Sequence, residues 1–132
     1  MDENAIGTRV IGCAIEVHRE LGPGLLESVY QKALSIELAE SGLKAQQEVP
    51  VLINYKGRQL DEGFRADLIV EESVILELKS VESLKEVHKK QLQTYLKLTG
   101  YRLGYLLNFN APAMRRGVLR CVNGVNEPSS TF

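Results

Sequence analysis

Along the chain the apolar positions keep a helical period first and a strand period afterwards. Between residues 5 and 21 they fall at Ile6, Val10, Cys13, Ala14 and Val17, the spacing of one helix face. Gly22-Pro23-Gly24 breaks that run. A second helix is predicted from about 26 to 41, with Leu26, Val29, Tyr30, Ala33 and Leu34 as its buried stripe and Gly42 as its stop. Residues 48–55 alternate as a strand, Lys56-Gly57-Arg58 turns, and 59–61 continues the sheet. Two short apolar strands follow, 65–70 and 74–80. A third helix spans 84–99 before Gly100, and strands 102–108 and 118–122 close the pattern. Residues 126–132 read as a frayed tail after one domain over 1–125. The order ααβββαββ predicts an α+β fold, a central mixed sheet flanked by helices.

The paired strands 65–70 and 74–80 break their own apolar pattern. Asp67, Glu77 and Lys79 stand inside them. Alternation puts Glu77 and Lys79 on one face with Ile75, and Val74, Leu76 and Leu78 on the other. A three-residue loop at Glu71-Glu72-Ser73 pairs Val70 with Val74, and counting back brings Asp67 opposite Glu77. Opposed residues hold their Cβ atoms about 4.5–5.5 Å apart. Two carboxylates so placed repel, and a hard divalent cation such as Mg²⁺ or Mn²⁺ removes the difficulty. A two-residue turn would separate them, and Glu77 with Lys79 can also be read as an ordinary surface pair. A lysine beside a bound metal and a phosphate can orient a nucleophile and offset developing negative charge.

Composition narrows the class. The 132 residues are 44% hydrophobic, enough for one ordinary core. No apolar run approaches the ~18 residues of a membrane span, and the acidic start MDENAIGTRV is not a signal peptide. Cys13 and Cys121 are too far apart for a metal knuckle and read as small core residues of a reducing, cytoplasmic compartment. The net charge of −1 conceals an uneven distribution. Residues 1–78 hold 7 Lys+Arg and 14 Asp+Glu, whereas 79–120 hold 9 Lys+Arg and 2 Asp+Glu. A basic surface beside an acidic site suits a nucleic-acid partner, although a solvated helix with a basic tail would read the same way.

The D-x₉-E-x-K spacing across paired strands resembles the PD-(D/E)XK nuclease superfamily, whose fold is that of restriction endonucleases. GLLESVY, from Gly24 to Tyr30, resembles the motif that names its GxxExxY branch. ADLIVEESVILELKSVE, HKKQLQTYLKLTG and GYLLNF follow in that family's order, so the likeness covers roughly residues 5–120. The resemblance implies Asp67 and Glu77 as metal ligands, with the main-chain carbonyl of Leu78 as a further one, and Lys79 as the catalytic lysine. Arg65-Ala66 precede Asp67, so the superfamily's proline is absent, at a position that varies widely.

Glu27 matches the motif glutamate and would reach the metal directly or through water, although the first turn of a helix also favours a carboxylate for its dipole alone. Tyr30 falls in the apolar stripe and reads as core. With Leu84 at zero on a helical wheel, Gln91 falls at about −20°, between Leu98 at about −40° and Tyr95 at about +20°, which predicts a buried amide in need of a partner. Related nucleases place a glutamine and a tyrosine of this helix beside the active site, a role carried here to Gln91 and Tyr95. His88 reads as a core-edge histidine or a phosphate contact. Lys89, with Lys90 and Lys97, reads as a solvated face that can also touch a nucleic-acid backbone.

These residues describe a nuclease that cleaves DNA or RNA with Mg²⁺ or Mn²⁺. A non-catalytic module holding nucleic acid or protein on the same fold is the alternative, and a phosphoesterase for a small phosphorylated molecule is a third. A domain this small, with no specificity domain attached, suits simple nucleic-acid structures or reliance on a partner protein or self-association.

Overall fold

In the computed structural model, which describes residues 1–124, five strands form one sheet in sequence order between two helical layers. Helices α1 (Glu3–Leu21) and α2 (Glu27–Glu40) lead into β1 (Ala45–Tyr55), β2 (Arg58–Val70) and β3 (Val74–Lys79). Helix α3 (Glu86–Thr99) then crosses to β4 (Leu103–Asn108), and a short 3₁₀ turn leads to β5 (Val118–Val122). All neighbours run antiparallel except β3 and β4, whose parallel pairing is what the α3 crossover makes possible. The α+β class and the order ααβββαββ match the sequence expectation. The expected tail at 126–132 lies outside the described residues. No described helix is long and apolar enough to cross a membrane.

The core has two halves, one on each face of the sheet. Ile6, Val10, Ala14 and Val17 of α1 and Tyr30, Leu34 and Leu38 of α2 pack on Val74, Leu76 and Leu78. Leu92 and Leu96 of α3 pack on Ile75, Leu106 and Leu119. Strand β3 is therefore apolar on both faces, as a central strand must be. Gly104 makes the second half close: a Cβ there would stand 3.1 Å from Leu92 Cδ1 and 3.2 Å from the Ile75 carbonyl.

Two apolar stripes differ from their expected positions. On α2 the buried residues are Tyr30, Leu34 and Leu38, while Leu26 and Val29 are exposed. On α3 they are Leu92 and Leu96, while Val87, Gln91 and Leu98 face solvent. Leu84 precedes the helix, so it cannot anchor a helical wheel, and Val87 and Leu98 drew the expected stripe about 100° round the axis from the true one.

Strand β2 runs unbroken from 58 to 70, where the sequence suggested two pieces. It accommodates an irregularity instead. Leu52 pairs with Gly63 but Asn54 pairs with Gln59, so Leu60, Asp61 and Glu62 bulge outward.

Candidate active site

The loop Glu71-Glu72-Ser73 sets the register of the β2–β3 hairpin. Glu71 and Glu72 both adopt left-handed backbone (φ 53° and 50°), and Glu71 is held by the Lys44 main chain in both directions. The pairs Val70↔Val74, Ile69↔Ile75 and Leu68↔Leu76 follow as the three-residue loop requires. One step further the carboxylates replace the ladder. The Asp67 N–H donates to Glu77 Oε2 (3.1 Å), and the Leu78 N–H donates to Asp67 Oδ2 (2.8 Å). Each carboxylate thus caps a main-chain donor of the other strand, and the pair sits where β2 and β3 part.

A second irregularity aims Asp67. Glu48 lies opposite it, bracketed by the pairs Gln47↔Leu68 and Val49↔Ala66, and has φ 51°. Both strands lose one step of alternation here. Ala66 packs on the α3 side and Leu68 on the α1–α2 side, although residues two apart in a strand share a face. Irregularities of this kind re-aim side chains near active sites.

Electrostatics mark the same point. Glu77 is only 7% exposed. Burial, and then the charge of Asp67, push its carboxyl up to about 8. Burial also raises Asp67, with further upward pressure from Glu48 and Glu27, while the Leu78 N–H and Lys79 pull it down. Lys79 follows Glu77 on the α3 side; its carbonyl accepts the Phe109 N–H (2.9 Å), while its ammonium makes no hydrogen bond or ion pair among the described residues.

The surrounding residues come from three elements. Glu27 opens α2, and its charge acts on Asp67, Glu77 and His88. The spacing of Gly24, Glu27 and Tyr30 has a local cause. Gly24 needs its left-handed backbone (φ 99°), and the buried Tyr30 hydroxyl donates to the Gly22 carbonyl (2.6 Å) and accepts the Leu25 N–H (3.0 Å). The Tyr30 ring stacks on Phe109 at 4.6 Å. Ser80, next to Lys79, donates to the Leu25 carbonyl (2.7 Å). The loop is thereby tied from beneath and from β3, and Glu27 is delivered to the mouth of the site. A hollow of about 360 Å³ lined by Leu25, Leu26, Glu27, Ser28 and Ser80 opens there.

From α3, Tyr95 faces the carboxylates. Burial and the charges of Glu77 and Asp67 raise its hydroxyl, and its ring stacks on Phe64 of β2. His88 stands at the same mouth, lowered by burial and by Lys79 and Lys85. Its Nδ1 accepts the Lys85 N–H (3.0 Å), which leaves the proton of the neutral ring on Nε2.

One expectation needs correction. Gln91 is exposed one turn before Tyr95, so no buried amide demands a partner. The charge of Lys89, one residue past His88 and so about 100° round the helix from it, acts on Cys121 of β5. Among the described residues no three His, Cys, Asp or Glu side chains converge as a metal-ligand group.

Two residues were missed. Glu48 is tied by Gln31 Nε2 (3.0 Å) and lies 3.8 Å from Arg65, and a lone glutamate in an alternating strand gives no sequence signal. Asn108 is 4% exposed and stands beside Lys79 in the parallel register. Its Oδ1 accepts the Val81 and Asn110 N–H groups (3.1 and 3.2 Å), and its Nδ2 donates to the Val81 carbonyl (3.0 Å). It fixes the chain just past the lysine. A polar side chain ending the apolar strand LGYLLN was the available signal.

The residues fit a hard cation. A buried and a half-buried carboxyl sharing one point are costly to ionise together, and a divalent ion with oxygen ligands offsets that cost. This fold and this carboxylate–lysine arrangement define a nuclease-like class. The chain belongs to the PD-(D/E)XK nuclease superfamily, whose family model matches residues 4–121. Comparison with curated proteins and with solved structures gives no match.

Proposed function

We propose that this protein is a divalent-metal-dependent phosphodiesterase of the GxxExxY branch that cleaves DNA or RNA. The observation that carries this reading is the interlock of Asp67 and Glu77 through each other's strand, with Lys79 two residues on and without an ion-pair partner among the described residues. Asp67 and Glu77 hold Mg²⁺ or Mn²⁺, with the Leu78 carbonyl as an added oxygen ligand. The bound ion would supply Lewis-acid polarisation of the phosphate and a nucleophilic water at neutral pH.

The chain's own residues do the rest. Lys79 orients the nucleophile and offsets charge building on the phosphate oxygens. Glu27 acts from the mouth, reaching the metal directly or through water. His88 offers its Nε2 proton to a substrate oxygen. Tyr95 and Gln91 flank the approach along α3.

Cleavage of single- and double-stranded DNA and RNA with Mg²⁺ or Mn²⁺ tests the proposal. Asp67→Asn and Lys79→Ala are each expected to lower the rate about 100- to 1,000-fold, the scale seen when one transition-state contact is lost. Wild type and variants equally inert on every substrate would refute catalysis and leave a binding module.

A further inference from the structure

Strands β1 and β2 pair along their whole length, yet β3 takes only Leu68, Ile69 and Val70 of β2. The remainder is a two-stranded ribbon that leaves the sheet at Asp67. Its root is anchored: Phe64 stacks on Tyr95, and Val49 and Phe64 pack on the α3-side core. Beyond the root, residues 54–63 are all exposed. A ribbon of two strands is marginal in water without further support. This one ends in a tight two-residue turn, Lys56-Gly57, with both residues in left-handed backbone (φ 50° and 79°).

The tip has a distinct chemistry. Residues 54–60, NYKGRQL, hold two cations and no anion. The Lys56 ammonium lies 5.4 Å over the Tyr55 ring, and Arg58 is the cross-strand partner of Tyr55. Neither cation makes an ion pair among the described residues, and Tyr55 is 59% exposed. The two-residue slip keeps the acidic Asp61 and Glu62 in the bulge, off the tip. Cations for phosphate and an aromatic face for bases or sugars are what a nucleic-acid strand engages.

We propose that this ribbon is an arm that grips the nucleic-acid substrate away from the reaction centre, a reading that rests on the nuclease assignment above. The ten residue steps from Gly57 to Asp67 set its reach at no more than about 33 Å. Substrate extending that far from the cleaved bond is held by Lys56, Arg58 and Tyr55, and a small phosphodiester is not. The arm contributes to binding and leaves the chemistry to Asp67, Glu77 and Lys79.

The test compares Lys56→Ser/Arg58→Ser and Tyr55→Ala with the parent. Binding of 20-mer DNA and RNA, single- and double-stranded, is measured by fluorescence anisotropy in a Lys79→Ala background that prevents cleavage. Hydrolysis of a small aryl phosphodiester is measured with Lys79 intact, and thermal melts confirm folding. The double variant is expected to bind oligonucleotides about tenfold more weakly at 100 mM salt. Its slope of log affinity against log salt should fall by about 2. Tyr55→Ala should weaken single strands most, and hydrolysis of the small ester should not change. Unchanged affinity and slope in folded variants would overturn the arm and leave the nuclease reading standing. A parent that binds no nucleic acid while hydrolysing the small ester would refute both the nucleic-acid substrate and the arm. Equal losses on small and large substrates would also overturn it, by placing the tip's effect in the reaction centre. A change in oligomeric state without a change in affinity would assign the ribbon to contact between copies of the chain.

Discussion

Glu77 concentrates the energetics of the site in one side chain. Its carboxyl is raised from 4.5 to about 8, first by burial and then by Asp67. Between those values the metal-free folded protein holds a proton that the unfolded chain has released. Stability therefore falls as pH rises from about 4.5 to 8, by an amount on the order of a few kcal/mol. Asp67 adds to the same trend, since it too is raised. Urea unfolding in chelator should show the wild type less stable at pH 8.5 than at pH 5. Glu77→Gln, which has no proton to lose, should show a much flatter profile. Stability that rises with pH across this window would contradict the environment assigned to Glu77. Metal binding runs the other way: affinity for Mn²⁺ should increase as pH approaches 8, because the ion displaces that proton.

At the scale of elements, the hairpin was legible in the sequence because a loop of three residues fixes every pair that follows it. Val70↔Val74, Ile69↔Ile75 and Leu68↔Leu76 stand as counted. The next step was not legible. Asp67 and Glu77 exchange side-chain to main-chain bonds there, and Glu48 across the sheet takes a backbone conformation that its residue type does not announce. Helix α3 misled for another reason. Val87 and Leu98 are apolar but exposed, and they outweighed Leu92 and Leu96 in the pattern.

Two elements outside the carboxylate pair carry predictions. Asn108→Ala removes the clamp on Val81, leaves buried main-chain groups unpaired and should cost about 1–3 kcal/mol. Cleavage should fall further than Mn²⁺ affinity, because Lys79 loses its support while Asp67 and Glu77 keep theirs. Equal losses would show that Asn108 serves the fold alone. Tyr30→Phe unties Leu25 and Gly22 and should likewise cost about 1–3 kcal/mol. It also loosens Glu27, so cleavage should drop under conditions where the variant remains fully folded by circular dichroism.

The whole molecule redistributes the charge asymmetry that the sequence displays. Arg102 pairs with Glu3 (3.4 Å), and Arg120 donates to Asn4 (2.8 Å), so two cations of the basic half are engaged by α1. Charge counting along the chain could not reveal these pairings. Part of the acidic half, in contrast, does gather: Glu27, Glu48, Asp67 and Glu77 arrive from α2, β1, β2 and β3, the charges of Glu27 and Glu48 act on Asp67, and those of Asp67 and Glu27 act on Glu77. The proposed metal-dependent cleavage rests on that cluster, with Lys79 beside it. Its most direct test is calorimetric titration of Mn²⁺ at pH 8 into wild type and into the Asp67→Asn/Glu77→Ala double variant. The wild type should bind saturably and the double variant should not, with a thermal stabilisation by Mn²⁺ seen in the wild type alone. Undiminished Mn²⁺ binding by a folded double variant would overturn the assignment of Asp67 and Glu77 as metal ligands.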